Sequence, residues 1–181
     1  MKQPEPRNCQ TRTSRAGKIK KVATAIVVGF IAFSIIWPAI NKKVRLDRNL
    51  TCRRNLFEMG RAMSVYREKF VEYPTPDKWC DLLLERAGAD EALFKCPGNK
   101  RARCSFSLNP NAEPNGPGDL VVLFETTGGW NQFGGPELLT VENHRPRGCN
   151  VLFNDGHVEF VRAEEIDRLI WAAEPAESAE K

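Results

Sequence analysis

The residues best suited to chemistry in this 181-residue chain stand close together towards its C-terminal end. Its only two histidines are His144 and His157, and Asp155 lies between them in the run Cys149-Asn-Val-Leu-Phe-Asn-Asp-Gly-His-Val-Glu-Phe-Val161. Imidazole is a common metal ligand that titrates near neutral pH, and a neighbouring carboxylate can ligate the same ion or orient the ring. His144, Asp155 and His157 therefore define a candidate site for metal binding or hydrolytic acid–base chemistry. Glu125, at the end of a predicted strand, and Glu142, just before His144, could add oxygen ligands for calcium, although the spacing of an EF-hand loop is absent. A simpler account is local. Asp-Gly is favoured in tight turns for backbone reasons alone, which makes Asp155 and Gly156 a hairpin turn, His157 a strand residue and His144 a loop residue. On that account Asn150 and the two histidines bond structurally, and no catalytic group, metal or cofactor is expected.

The thiols are a second source of reactivity. Cys9 precedes a long apolar run, leaving Cys52, Cys80, Cys96, Cys104 and Cys149 beyond it. Five is odd, so one thiol stays outside any intrachain bridge. No CxxC occurs, and the spacings of 28, 16, 8 and 45 positions match no zinc template. Cys96 and Cys104 could close a short loop around Pro97-Gly98, with Cys80 in reach of either, so Cys80, Cys96 and Cys104 are the candidate disulfide residues. Free buried cysteines and a metal site are the alternatives.

Several elements must position these groups. Cys52, Leu56, Met59, Met63, Tyr66 and Phe70 recur at intervals of 4, 3, 4, 3 and 4, the repeat of a helix that lays one seam on a partner surface. Arg53, Arg54, Glu58, Arg61, Arg67 and Glu68 form its solvated face, and Tyr73-Pro74 is expected to end it. Asp77 can cap a short helix through Trp79–Leu84 that closes at Gly88. Ser105–Leu108 and Leu120–Glu125 read as strands, and the two apolar runs around Asn154-Asp155-Gly156 read as a hairpin. Alternation puts Val158 and Phe160 on one face and His157, Glu159 and Val161 on the other. Glu164–Ala173 is expected to form a last short helix. Gly128–Pro136 is glycine-rich but lacks the phosphate-binding spacings GxGxxG and GxxxxGK[ST].

Charge and hydropathy set the context of these elements. Residues 1–60 hold 13 Lys/Arg against 3 Asp/Glu, and residues 61–181 hold 14 against 20, so a front of +10 precedes a body of −6. Val22–Ile40 is 19 residues without a charge. A helix of that length covers roughly 28 Å, about the hydrocarbon thickness of a bilayer. It exceeds the apolar region of a cleavable signal peptide, and no A-x-A site follows, which favours an uncleaved signal anchor. The expected division is a basic disordered tail (1–21), a transmembrane helix (22–40), an α+β domain (41–173) and a polar tail (174–181). Pro38 predicts a kink near the membrane surface. The basic tail has no interleaved aromatics and adjoins the span, so membrane lipid rather than nucleic acid is its expected partner. Seven Lys/Arg stand before the span and six soon after it, so orientation rests on the short tail, which favours the N-terminus inside.

Three stretches carry a family resemblance. Pro38-Ala-Ile-Asn-Lys-Lys43 with Cys52-Arg-Arg-Asn-Leu56, Gly60-Arg-Ala-Met-Ser-Val-Tyr66 and Tyr73-Pro74 form the first, Phe94-Lys-Cys96-Pro97 the second. Asn143-His144 with Asn150-Val-Leu-Phe-Asn-Asp-Gly-His-Val158 is the third. Together they resemble the type IV pilin and pseudopilin family, more narrowly its prepilin-type proteins with an H-X9-DG C-terminal motif. Here His144, Asn150, Asp155, Gly156 and His157 are the motif residues, and ten residues rather than nine separate His144 from Asp155. The family's processing site places a glutamate soon after a glycine, yet no glutamate occurs from Cys9 to Asp47. The resemblance therefore implies a degenerate, uncleaved relative. Its fold would be α+β, a long N-terminal membrane-rooted helix packed on a small antiparallel sheet with short accessory helices. Its role would be non-enzymatic, structural or protein-binding, in a type II secretion or type IV pilus-like system. It would be a single-pass protein of a bacterial inner membrane with its domain in the periplasm. The alternative is a membrane-tethered metal-binding or hydrolytic domain using His144, Asp155 and His157.

Overall fold

The computed structural model describes residues 11–173, so Cys9, the first part of the basic tail and the polar C-terminal tail lie outside the described residues. The chain divides into two compact units, Met1–Val44 and Arg45–Lys181. Helix α1 (Thr11–Phe70) contributes to both and passes through Pro38 without a break. It begins ahead of Val22, so residues 11–21 are helical rather than an unstructured tail. In the first unit Val22, Ile26, Phe30 and Ile35 are all more than half exposed. By length and composition the helix is able to cross a membrane.

The second unit is α+β. Strands β1 (Phe106–Leu108), β2 (Val121–Glu125), β3 (Gly148–Phe153) and β4 (Val158–Arg162) form one antiparallel sheet in the order β1-β2-β3-β4. Both faces are covered. On one, the α1 seam of Cys52, Leu56, Met59, Met63 and Tyr66 packs with Leu123, Leu152 and Val158, and with Trp79 and Leu83 of helix α2 (Trp79–Ala87). On the other, Val121, Phe124, Cys149, Val151, Phe153 and Val161 meet Leu138, Leu139, Ile166, Leu169 and Trp171. Each fully buried Leu or Met contributes roughly 1.5–3 kcal/mol of transfer free energy, so this two-sided burial supplies most of the drive to fold.

Register decides which side chains face α1. Val121 pairs with Phe153 but Leu123 with Leu152, so Val122 is an extra residue in β2, a β-bulge. Beyond it alternation resumes: Leu123 faces α1, Phe124 the opposite layer, and Glu125 returns to the α1 side. In β3 the same parity turns Leu152 and Asn150 towards α1 and Cys149 and Val151 away. The hairpin turn is as expected, with Gly156 at φ 90. Val158 and Val161 fall on opposite faces, as alternation requires.

Two local expectations are corrected, and the expected end of α1 near Phe70 is given its cause. Asp77 does not cap α2: it lies in the 3-10 turn Pro76–Lys78, the N-cap Lys78 makes no side-chain cap bond, and Asn131 Oδ1 instead accepts from the first-turn N–H groups of Cys80 (2.8 Å) and Asp81 (3.4 Å). Glu164–Ala173 is no α-helix: Ala163–Arg168 is a 3-10 turn, after which Val121 donates its N–H to Ile170 O (2.9 Å). That edge bond draws the chain out along the sheet. Helix α1 ends at Phe70, before Tyr73-Pro74, because Val71 enters the left-handed region (φ 68) and donates its N–H to Arg67 O (2.7 Å). Phe70, the last seam residue, is left 40% exposed.

A β-branched residue pays roughly 1–2 kcal/mol for left-handed geometry, and glycine avoids that at a smaller entropic cost. Val71 is exposed, so nothing else is lost on truncation. Val71→Gly is expected to stabilise the protein by roughly 0.5–1 kcal/mol, read as a rise in thermal midpoint; a fall would show that the valine side chain makes a contact of its own.

Candidate functional site

Where the α1 seam begins, four elements deliver polar side chains to one point. Cys52 comes from α1, Cys96 from the segment after the 3-10 turn Glu91–Phe94, Glu125 from the end of β2 and His144 from the loop before β3. Their donor atoms all lie within 4.8 Å of one another. Cys52 Sγ donates to Glu125 Oε1 (2.8 Å), His144 Nε2 lies 2.9 Å from the same oxygen, and Cys96 Sγ lies 3.3 Å from Nε2. Asn150 adds two donors to Oε1, its backbone N–H (3.2 Å) and Nδ2 (2.7 Å), while Asn143 Nδ2 reaches Oε2 (3.3 Å). Glu125 is fully buried, and among the described residues its only basic partner is His144.

The surrounding loops are fastened so that this convergence holds. Asn55 Nδ2 donates to Lys95 O (3.0 Å), tying α1 to the Cys96 segment. The Cys96 N–H donates to Ser105 Oγ (3.1 Å), and the Gly98 N–H points at Cys96 Sγ (3.4 Å). Gly98 is fixed by space: a Cβ there would overlap the carbonyl oxygen of Asn143, the residue before His144. Only glycine lets the two loops approach closely enough for Cys96 to meet His144. Phe160 closes the cluster, its ring edge-on to the imidazole with centroids 6.1 Å apart.

Electrostatics separate the two thiols. Burial foremost pushes Cys52 well up, and its contacts with Cys96 and Glu125 add to that. Cys96 moves the other way, down to about 6, because the adjoining Cys52 thiol and the His144 imidazole favour its thiolate over the burial that opposes it. For His144 burial lowers the pKa, yet bonding to Cys96 and Glu125 and their charges outweigh it and bring it up to about 10. A thiolate beside an imidazolium is the arrangement that activates a sulfur nucleophile in open sites. Here Cys96 is 1% and His144 4% exposed. A group that attacks a substrate must touch it, and neither of these side chains is open to solvent.

The sequence-derived site is split. His144 and Asn150 belong to the buried cluster, whereas Asp155 and His157 sit on the exposed hairpin, paired with each other through Asp155 Oδ1 and His157 Nδ1 (2.5 Å). There His157 stacks on Phe153, and the His157 backbone N–H chiefly holds the Asp155 carboxyl below its usual range. No common site of His144, Asp155 and His157 exists. Glu125 and Glu142 are likewise apart, since Glu142 is exposed and pairs with Arg145 and Arg147. The five described cysteines are all free and buried. Cys104 Sγ donates to Phe106 O (3.2 Å), Cys80 Sγ accepts from the Asn131 N–H (3.3 Å), and Cys96 lies against His144. Burial raises Cys80, and it brings Cys149 up to about 12 with help from the Glu125 charge.

Cys52 and Cys96 as partners of His144 were not legible in the spacing, because 44 positions separate them and each is a lone cysteine in its segment. The usable signal was Cys52 falling on the buried seam. No family model matches the chain, and neither the curated proteins nor the solved structures contain a match.

Removing the Glu125 carboxylate strands several buried donors at once. Glu125→Ala is expected to cost about 3–5 kcal/mol of stability, and Glu125→Gln, which keeps an acceptor, about 1–2 kcal/mol, measured by denaturant unfolding. Gly98→Ala is expected to cost about 1–3 kcal/mol through forced separation of the two loops; equal stability to wild type would mean that the loops do not meet there.

Proposed function

We propose that the chain is a membrane-anchored, pseudopilin-like structural or protein-interaction component of a type II secretion or type IV pilus-like system, without enzymatic activity. On this reading Val22–Ile40 is a single span in a bacterial inner membrane, in contact with lipid, and residues 41–173 are a domain held on the periplasmic side. The observation that carries it is α1 itself. One helix holds a 19-residue charge-free stretch and, further on, the buried seam of an antiparallel α+β domain. A soluble protein has little use for a helix whose apolar side chains stand exposed over five turns, whereas a bilayer would cover them.

Two further features support a structural role. The most reactive cluster is closed to substrate, with Cys52, Cys96, Glu125 and His144 all buried. The three stretches that resemble the pilin-like family supply α1, the Cys96 segment and the β3–β4 hairpin, the parts that build the helix-on-sheet layout. Asp155 and His157 then serve the hairpin turn.

A phosphatase domain fused after Lys181 is expected to be active in intact cells, and to lose that activity when 22–40 is deleted. The full-length chain is expected to stay with membranes through alkaline extraction. An inactive fusion would place the domain on the cytoplasmic side, and extraction into the soluble fraction would refute the anchor.

A further inference from the structure

We propose that Cys52, Cys96, Glu125 and His144 are the four protein ligands of one structural zinc ion, bound through both sulfurs, one carboxylate oxygen and imidazole Nε2. This does not rest on the membrane reading; it concerns what joins α1 to the sheet.

The hydrogen-bond arithmetic is the first argument. Glu125 Oε1 faces four donors: Cys52 Sγ, His144 Nε2, the Asn150 N–H and Asn150 Nδ2. A carboxylate oxygen offers about two lone-pair sites, so protons alone overfill it. His144 Nε2 has one bonding direction, yet Glu125 Oε1 and Cys96 Sγ both lie within 3.3 Å of it. Sulfurs, oxygen and nitrogen thus crowd a common centre. A cation there eases both conflicts: it takes the place of the Cys52 proton and of the shared His144 contact, so that Oε1 faces three partners, the ion and the two Asn150 donors, instead of four. Asn150 is built for that task, since it turns its amide N–H to Glu125 while its own Oδ1, fully buried, has no partner.

The donor set selects the ion. Two thiols and an imidazole are soft to borderline ligands that suit zinc, whereas calcium and magnesium require oxygen. A tetrahedral zinc with bonds of ~2.0–2.3 Å sets neighbouring ligand atoms ~3.3–3.8 Å apart. The contacts of 2.8–3.3 Å open to that spacing and the widest separation, within 4.8 Å, closes to it, each by shifts of about half an ångström on either side. Four protein ligands with no open position are the mark of a structural rather than a catalytic zinc. Outer contacts are in place as well: the Gly98 N–H on Cys96 Sγ, both Asn150 donors on Oε1, and Asn143 Nδ2 on Oε2. Such contacts orient ligands and spread their charge. Binding displaces two protons to solvent, the Cys52 thiol proton and the one that the Cys96–His144 pair holds between them, and changes no oxidation state.

The test uses the full-length chain, purified in detergent with its thiols reduced, loaded with zinc, dialysed and submitted to elemental analysis. Stoichiometric zinc is expected in wild type, in Cys104→Ser and in His157→Ala, with loss of zinc in Cys96→Ser and His144→Ala. Asn150→Ala is expected to weaken affinity about 10- to 100-fold. Because ligand variants can fail to fold, cobalt(II) loading of the wild type supplies an independent readout. Intense visible bands of tetrahedral cobalt, with a near-ultraviolet thiolate-to-metal band, are expected. Reduced wild type that retains no zinc, a cobalt spectrum without thiolate character, or zinc lost from His157→Ala but kept by His144→Ala would each overturn the proposal.

Discussion

A carboxylate buried without a basic side chain other than one histidine is the constraint on which the domain turns. Moving an ionised carboxylate out of water costs several kcal/mol unless every lone pair is met. Glu125 meets that demand with groups from α1, β3 and the loop before β3, none of them adjacent to it in sequence. The helix is thereby held to the sheet by direction as well as by area. The apolar seam below Cys52 could slide or rotate on Leu152 and Leu123 at modest cost, since hydrophobic burial is non-directional. Bonds from Cys52 and Asn55 fix the helix in rotation and along its axis at once.

What the sequence revealed and what it concealed follow from that distinction. The α1 seam, the β2 strand and the hairpin were legible because each depends on a period or on one residue's backbone preference. Gly156 had to adopt a positive φ, and Met59 and Met63 had to face inward with Leu56. The bulge at Val122 was not legible, since Val121-Val-Leu-Phe124 is apolar throughout and offers no alternation to count. Without it Glu125 could be placed at a strand end but not on a face. The last helix failed for a tertiary reason: Ile166, Leu169 and Trp171 are spaced to pack, but they cover the far side of the sheet from a 3-10 turn and an edge bridge. The convergence of Cys52, Cys96, Glu125 and His144 was the least accessible feature. Gaps of 44, 29 and 19 positions between successive members carry no local signature.

The charge division of the chain also acquires a physical sense. The basic front lies in and around a helix with an uncharged stretch, and the acidic body is the sheet domain with its accessory turns. Most of the body's carboxylates are at the surface, several paired with arginine, as Glu91 is with Arg103 and Glu159 with Arg168. Exposed pairs of this kind contribute little each. Glu125 differs from them in kind, being the carboxylate that the fold encloses among the described residues.

The C-terminal motif therefore does two jobs with one set of residues. Its exposed part, Asn154-Asp155-Gly156 with His157, makes the turn: Gly156 supplies the positive φ, and Asp155 accepts from the His157 N–H (3.0 Å). Asn154 ties the turn to its neighbours, accepting from Tyr73 Oη (2.7 Å) and donating to Gly116 O (2.9 Å). A slip of one residue in a hairpin sends every side chain to the opposite face. Such a slip would exchange Asn150 for Cys149 or Val151 beside Glu125 and leave its carboxylate short of donors. The solvent-facing turn thus sets the register that keeps Asn150 pointed at the buried cluster. Residues that never touch Glu125 are in this way required by it, which gives the motif a physical reason to be continuous from His144 to His157.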